Sequence, residues 1–207
     1  KRQSASGAYL LVARGGADAL LREGGFSAGG LYEKMESVEW DRKYWDRRRK
    51  KVLNKRARAN LCFAAESQRA DYERGKGTVM AWEDVKCLDV LRKGVAKMGE
   101  EKFEGLNCEG NFYDDLEKCG IGFHGDAERR KVVGCRFGAD MNLCFQWYQH
   151  SRAKGEMFET ILREGDLYIM SEKSVGKDWK RRKVLTLRHS CGGKKFMKGV
   201  LKRVRRN

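Results

Sequence analysis

Two of the chain's three histidines stand where a metal-binding group could form. His124 and Asp126 are two positions apart at the end of the short apolar segment 120–126, and His189 ends another such segment, 184–189. In an extended chain, residues two apart project from the same face, so His124 and Asp126 would point at one ion, with Gly125 leaving room between them. Two imidazoles and one carboxylate on one face of an octahedral ion form the facial triad of non-haem Fe(II) oxygenases.

The same residues have a simpler interpretation. Histidine and aspartate two positions apart occur often, and a structural hydrogen bond or a surface pair is the commoner reason for finding them together. The remaining histidine, His150, follows residues 146–149 near the end of a predicted strand, and we assign it no part in catalysis. Taken alone, the residues therefore leave metal binding and an ordinary polar pair both open.

The elements that would position these residues are short strands in the second half of the chain. Apolar, alternating or aromatic segments are separated there by turn-like residues, which favours a sandwich, barrel or jelly roll over a parallel α/β sheet. The predicted strands are 106–113, 120–126, 132–137, 142–147, 166–170 and 184–189.

The first half is predicted to be more helical. Leu31, Met35 and Val38 indicate one apolar helical stripe, and a longer one begins at Val85 and ends at Gly99. We therefore predict a mainly β chain with flanking helices (α+β). Residues 1–50 would form a basic, helical N-terminal extension, and residues 51–207 would form the β-rich domain.

The charge of the chain favours a polyanionic partner. Its 45 basic and 29 acidic residues give a net charge of +16, which attracts nucleic acid above all, although a solvated basic surface is the alternative. Residues 40–58 interleave aromatic with basic residues, so they either contact nucleic acid or form a helix that packs its aromatics inward. A second basic patch includes Lys173, Lys177 and residues 180–183; it would hold substrate phosphates if it borders the metal site, and would otherwise be a solvated loop.

Other features restrict the class of protein. Seven cysteines at irregular spacing, with no CxxC pair, disfavour a zinc ribbon and a disulfide framework, so we expect reduced thiols in the cytoplasm or nucleus. No apolar stretch of 18 residues suggests a membrane span. The chain has no proline, so its turns must depend on its 24 glycines. Nothing in the sequence predicts an oligomeric state.

Five motifs, in order along the chain, carry a resemblance to a known family. They are N-F-Y at 111–113, G-F-H-G-D at 122–126, V-V-G-C-R-F-G at 132–138, G-D-L-Y-I-M-S at 165–171 with Trp179 following, and T-L-R-H at 186–189. Together they resemble the AlkB-like Fe(II)- and 2-oxoglutarate-dependent dioxygenases. The resemblance covers residues 51–196, and residues 1–50 lie outside it.

The resemblance implies a fold, a cofactor and an activity. The fold would be a double-stranded β-helix, or jelly roll, with Fe(II) held by His124, Asp126 and His189. Asn111 and Tyr113 match the positions that hydrogen-bond the cosubstrate 2-oxoglutarate. The expected reaction is oxidative demethylation or dealkylation of nucleobases in DNA or RNA. Two alternatives stay open: a catalytically impaired jelly-roll protein that binds nucleic acid, and a hydroxylase or demethylase of protein side chains.

The sequence departs from the family at one point. AlkB-like proteins bind the far carboxylate of 2-oxoglutarate through an R-x-N-x-T-x-R pattern after the distal histidine, whereas residues 190–196 read S-C-G-G-K-K-F. A carboxylate in a partly dry barrel needs a cation. Arg136, on the strand face of Gly134, is the first candidate, unless it faces solvent. Lys195, expected on a strand after His189, is the second.

Overall fold

A computed structural model describes residues 7–197, and in it strands outweigh helices, 37% against 23% of the chain. This confirms a mainly β chain with flanking helices. The chain forms two compact units: one contains the residues up to Gly15 and from Leu116 onward, and the other contains Gly16–Asp115. The predicted boundary at residue 50 falls inside the second unit. No helix within 7–197 is long and apolar enough to cross a membrane.

The strands have the following bounds. In chain order they are β1 (Leu10–Ala13), β2 (Lys43–Asp46), β3 (Lys51–Asn54), β4 (Ala59–Ala64), β5 (Val79–Ala81), β6 (Cys108–Phe112), β7 (Gly120–His124), β8 (Val132–Cys135), β9 (Met141–Gln149), β10 (Arg152–Leu162), β11 (Leu167–Met170) and β12 (Thr186–Gly192). The α-helices are α1 (Gly16–Glu23), α2 (Ala28–Glu36), α3 (Lys86–Gly99) and α4 (Glu172–Val175), and short 3₁₀ turns occupy Trp82–Asp84, Glu100–Lys102 and Lys194–Phe196.

Both predicted helices are present in the unit formed by Gly16–Asp115, although Val38 lies beyond the end of the first at Glu36. α3 ends at Gly99 as predicted. α2 contains Leu31 and Met35, and its N-cap Ser27 accepts a hydrogen bond from the amide of Gly30, which is a common way to satisfy a helix start. Strands β5, β4 and β6 form a sheet in this unit.

The helical alternative for residues 40–58 is wrong, because this segment contains the hairpin β2–β3. Lys43 pairs with Asn54, and Asp46 with Lys51. The carboxylate of Asp46 accepts hydrogen bonds from the amides of Arg48 and Arg49, each at 2.9 Å, which closes the turn between the strands. Local turn chemistry therefore competes successfully with helix formation in this basic segment.

The unit that carries the three candidate ligands is built from nested antiparallel pairs. β9 pairs with β10, β8 pairs with β11, and β7 pairs with β12, so each later pair encloses the earlier one along the chain. Because β12 also pairs with β9, the strands form one sheet of order β10-β9-β12-β7 and a second of order β1-β11-β8. Within residues 7–197 no sheet closes into a barrel.

The core of this unit lies between its two sheets. Leu143, Phe145 and Leu187 come from the four-stranded sheet, Met170 comes from β11, and Val175 comes from α4; all are buried in one cluster. The alternation of side chains along each strand places these residues inside and their neighbours on the opposite face.

The six predicted strand segments are confirmed, whereas several other strands were not predicted. Each of the six predicted strand segments overlaps an observed strand. The longest strand, β10, was missed because most of its residues are exposed at the edge of the sheet, and because a register shift between Lys154 and Phe158 interrupts its alternation.

The residues before Gly15 are more than an extension, because β1 pairs with β11 at the edge of the three-stranded sheet. Asp166, only 2% exposed, fixes this edge: its carboxylate accepts from the amides of Gly15 (3.1 Å) and Arg163 (2.8 Å) and from the guanidinium of Arg14 (2.5 Å). Burial alone would raise the pKa of Asp166, but these hydrogen bonds outweigh it and lower the pKa below its usual value.

We expect Asp166→Ala to lower the free energy of unfolding by ~2–4 kcal/mol, because two backbone amides and Arg14 lose their acceptor. Chemical denaturation measures the change. Asp140→Ala, at an exposed position of the same unit, is the control and should stay within ~0.5 kcal/mol of the original chain. Equal losses in the two variants would show that Asp166 does not fix this edge.

Candidate metal centre

The pairing of β7 with β12 places two histidines side by side. His124, the last residue of β7, is the direct cross-strand partner of His189 on β12. Opposite residues of an antiparallel pair share a face, and the two imidazole centroids are 4.3 Å apart. His189 also lies 6.2 Å from the ring of Phe145, which is part of the core between the sheets.

Asp126 completes the group from just beyond β7. Its Oδ1 is 3.5 Å from Nε2 of His124, and its Oδ2 is 3.9 Å from Nε2 of His189. Ligand atoms of all three residues lie within 4.8 Å of one another, which is close to the separation of atoms bound at ~2.0–2.2 Å to one ion. The side chains of Asp126 and His189 are 15% and 12% exposed, so the group is largely shielded from solvent.

A backbone hydrogen bond orients His124 as a ligand. Its Nδ1 is 2.8 Å from the carbonyl oxygen of Gly122, so Nδ1 carries a hydrogen and donates it. Nε2 then faces Asp126. Metal-bound histidines characteristically hold their second ring nitrogen in this way.

His189 is held neutral, as a metal ligand must be. Burial of its ring, reinforced by the nearby His124, lowers the pKa of His189 to about 3, although the backbone at Ser174 partly opposes the shift. Near neutral pH this imidazole therefore carries no charge and needs no deprotonation before binding an ion.

The simpler interpretation, a structural hydrogen bond, fits this geometry poorly. The 3.9 Å between His189 and Asp126 exceeds hydrogen-bonding distance. Nε2 of His124 and Oδ1 of Asp126 are 3.5 Å apart, and Nη1 of Arg129 donates to Oδ2 of Asp126 at the same distance. Both contacts are longer than a normal hydrogen bond, so a cation held between His124 and Asp126 would suit these atoms better.

Gly125 makes room for a loop rather than for the ion. A Cβ atom at this position would lie 2.3 Å from the carbonyl oxygen of Gly176 and 2.7 Å from Cβ of Trp179. The amide of Asp126 also donates to the carbonyl of Val175 at 3.0 Å. The segment 171–185, which contains the second basic patch, therefore packs directly against the candidate ligands.

The structure places the predicted cosubstrate residues Asn111 and Tyr113 in the other compact unit. Asn111 lies on β6, where its Oδ1 accepts a hydrogen bond of 2.6 Å from Nε of Arg58. Tyr113 follows the end of β6 and is half-buried. Thus the three candidate metal ligands belong to one unit, and these two residues belong to the unit Gly16–Asp115.

The two predicted carboxylate anchors are positioned differently from the expectation. Arg136 follows the end of β8, and its guanidinium donates to the carbonyl of Ala139 at 2.8 and 2.5 Å, because the turn at Gly138 (φ +71°) brings that carbonyl round to it. Lys195 is exposed in a 3₁₀ turn, 5.0 Å from the ring of Phe196, since β12 has already ended at Gly192.

Arg188 is a cation near the site that the sequence did not single out. The guanidinium of Arg188 stacks over the rings of Tyr148 (4.3 Å) and Trp179 (5.3 Å), and its Nε is buried without a hydrogen-bond partner among the described residues. Arg188 precedes His189 on β12 and so projects from the opposite face of the sheet. Its only sequence signal was a cation next to a candidate ligand within a strand.

Comparison with known proteins gives one relationship. No protein-family model matches the chain. It is 43% identical over 194 residues to "Uncharacterized protein R156" of Acanthamoeba polyphaga mimivirus, a match that spans 92% of this chain and 72% of the viral protein. The chain belongs to the family of that viral protein. This relationship assigns neither an activity nor a cofactor to the chain.

Because His189 is buried and has a low pKa, we expect acid to lower the stability of the metal-free protein. The pKa of His189 is about 3 in the folded chain, against 6.5 for an unperturbed imidazole, so only the unfolded chain takes up this proton between those pH values. His189 therefore has no effect on the pH dependence of stability above pH ~6.5, and it lowers stability by ~1.4 kcal/mol per pH unit below ~6.

We expect chemical denaturation in the presence of a chelator to show about 1.4 kcal/mol more loss between pH 7.5 and 5.5 for the original chain than for His189→Gln. His150→Asn alters an exposed histidine and should keep the original pH dependence. A His189→Gln chain that loses as much stability as the original would contradict a neutral, buried His189.

Proposed function

We propose that this chain is an AlkB-like non-haem oxygenase that binds Fe(II) and uses 2-oxoglutarate as cosubstrate. The observation that carries the proposal is the convergence of His124, Asp126 and His189, whose ligand atoms lie within 4.8 Å of one another, with His189 held neutral. Two neutral imidazoles and one carboxylate form the donor set that suits Fe(II) in such enzymes and leave coordination positions open on the opposite side of the ion.

Each of the three residues has a distinct task in this proposal. His124 is held by the carbonyl of Gly122, so its Nε2 stays directed at the ion. His189 supplies a neutral ligand without releasing a proton, and Asp126 supplies the negative charge that partly neutralises the ion. When bound, iron with 2-oxoglutarate supplies the oxidising power that hydroxylates a substrate C–H bond; an N-methyl group hydroxylated in this way leaves as formaldehyde.

The strand pairing supports a jelly roll as the scaffold. A double-stranded β-helix is a long antiparallel pair of strands wound into two facing sheets, which produces nested pairs such as β9–β10, β8–β11 and β7–β12. Of the candidate ligands, His124 ends β7 and Asp126 follows it, whereas His189 lies within β12 opposite His124 and, contrary to the prediction, does not end its strand. The resemblance to AlkB-like proteins would place the iron at these three residues.

The cosubstrate is assigned only in part. By resemblance, Asn111 and Tyr113 would hydrogen-bond 2-oxoglutarate. Arg136 would have to release the carbonyl of Ala139 to reach a buried carboxylate, and Lys195 lies in an exposed turn. We therefore propose that 2-oxoglutarate would bind at open coordination positions of the ion, and we assign no side chain to its far carboxylate.

Nucleic acid is the proposed substrate because of how the positive charge is arranged. In the unit Gly16–Asp115, a cleft of about 700 Å³ contains four cations and no carboxylate. Burial lowers the pKa of one of these cations, Lys55, as expected where positive charges are crowded away from water. Tyr44, 42% exposed in the same cleft, offers an aromatic face for a base. The cleft is lined by Tyr44, Arg49, Leu53, Asn54, Lys55, Arg56, Ala57, Arg58 and Asn60.

Turnover of 2-oxoglutarate to succinate tests the proposal. With Fe(II), oxygen and an N-methylated single-stranded oligonucleotide, we expect succinate and an equal amount of formaldehyde. Asp126→Ala should reduce turnover by roughly a hundredfold or more, because it removes a ligand. Asp140→Ala changes an exposed aspartate of the same unit and should remain active.

The other outcomes identify the alternatives. Succinate and formaldehyde formed with an N-methylated peptide but not with the oligonucleotide would indicate an oxygenase that acts on protein. Tight oligonucleotide binding without any succinate would indicate a nucleic-acid-binding jelly roll without catalysis. Equal turnover by the original chain and Asp126→Ala would exclude the proposed metal site.

A further inference from the structure

The segment 171–185 joins the candidate ligands to a run of exposed cations. Its first part lies against Gly125 and Asp126, through Val175, Gly176 and Trp179. Its second part, which we call the basic run, consists of residues 180–183 (K-R-R-K), and all four are exposed. The basic run therefore belongs to a segment whose position is fixed at the metal centre.

The charges of the basic run are not neutralised by any ion pair among residues 7–197. Lys173, by contrast, pairs with Asp178 at 2.7 Å and donates to the carbonyl of Leu185 at 2.6 Å. Lys173 thus holds the structure of the segment, whereas the four cations of the basic run are exposed.

The turn between β9 and β10 fixes the basic run in place. The amide of His150 donates to the carbonyl of Arg182 at 2.7 Å, and Nε of Arg182 donates to Oγ of Ser151 at 2.9 Å. The side-chain amide of Gln149 donates to the carbonyl of Lys183 at 3.1 Å. In a solvated loop, electrostatic repulsion would favour separation of these cations. These hydrogen bonds instead hold them close together.

The turn that makes these bonds is itself unfavourable. Gln149 pairs with Arg152, and the two residues between them, His150 (φ +50°) and Ser151 (φ +62°), both have left-handed backbone conformations. Such two-residue turns favour Asn-Gly, because other residues meet steric resistance there. Strained backbone is characteristic of functional sites, and here the strained residues are the ones that hold Arg182.

We propose that the basic run binds the phosphodiester backbone of a single-stranded nucleic acid and so positions one base at His124, Asp126 and His189. Consecutive lysine and arginine side chains suit phosphates, and arginine can bind a phosphate through two parallel hydrogen bonds. A single strand fits because its bases can reach the ion without leaving a duplex. The positioning of a base rests on the proposed oxygenase function, whereas backbone binding by the run does not.

Oligonucleotide binding by the metal-free full chain tests this proposal. Fluorescence anisotropy of a labelled, unmodified single strand would be measured at several salt concentrations for Arg181→Gln/Lys183→Gln, which leaves the bonds of Arg182 in place. The matched control, Lys86→Gln/Lys97→Gln, removes two exposed cations from α3. Because each double variant loses two positive charges, both fall from the original +16 to +14.

We expect Arg181→Gln/Lys183→Gln to bind roughly tenfold more weakly and to reduce the slope of log affinity against log salt by about 1.4, the loss for two phosphate contacts on a single strand. The control should keep the original affinity within about twofold and keep its salt slope. Ser151→Ala, which deprives Arg182 of an acceptor, should weaken binding by roughly twofold to threefold at an unchanged melting temperature.

Two results would overturn the proposal. One is equal weakening by the two double variants, which would show that binding follows total charge and not the basic run. The other is competition by polyglutamate as effective as that by unlabelled oligonucleotide, which would indicate a surface for acidic peptides. These binding measurements use no metal ion. A failure to form succinate in the turnover assay would therefore refute the oxygenase function without changing the result for the basic run.

Discussion

The antiparallel pairing of β7 with β12 is the constraint on which the site depends. The two strands are far apart in sequence, and only their register makes His124 the partner of His189. A slip of one residue would turn one histidine to the other face of the sheet. The enclosed pairs β8–β11 and β9–β10, with the core between the two sheets, hold that register in place.

Segment 171–185 connects the candidate ligands to the charged surface of the same unit. Gly125 has no side chain, so Gly176 and Trp179 can pack against the backbone between His124 and Asp126. The same segment then continues into the basic run, which the turn at His150 and Ser151 holds in place. Placement of the ligands and placement of the surface charge are therefore consequences of one packing arrangement.

The sequence predicted those features that follow from local periodicity. Six strands of the second half and the α3 helix could be recognised, and strand parity was sufficient to associate His124 with Asp126. The strand β10 could not be recognised, because it lies at a sheet edge with an interrupted alternation. The placement of Arg136 was also beyond reach, because its side chain follows the turn at Gly138 rather than the parity of β8. Arg188 was missed because its aromatic partners, Tyr148 and Trp179, come from separate segments.

Calorimetric titration of the chain with Mn(II) or Co(II) tests the central claim most directly, because it measures the metal site without requiring catalysis. The account predicts one ion bound per chain, loss of that binding in Asp126→Ala and His189→Ala, and unchanged binding in His150→Asn, which alters the one histidine outside the centre. Binding by His189→Ala with the stoichiometry and affinity of the original chain would contradict it.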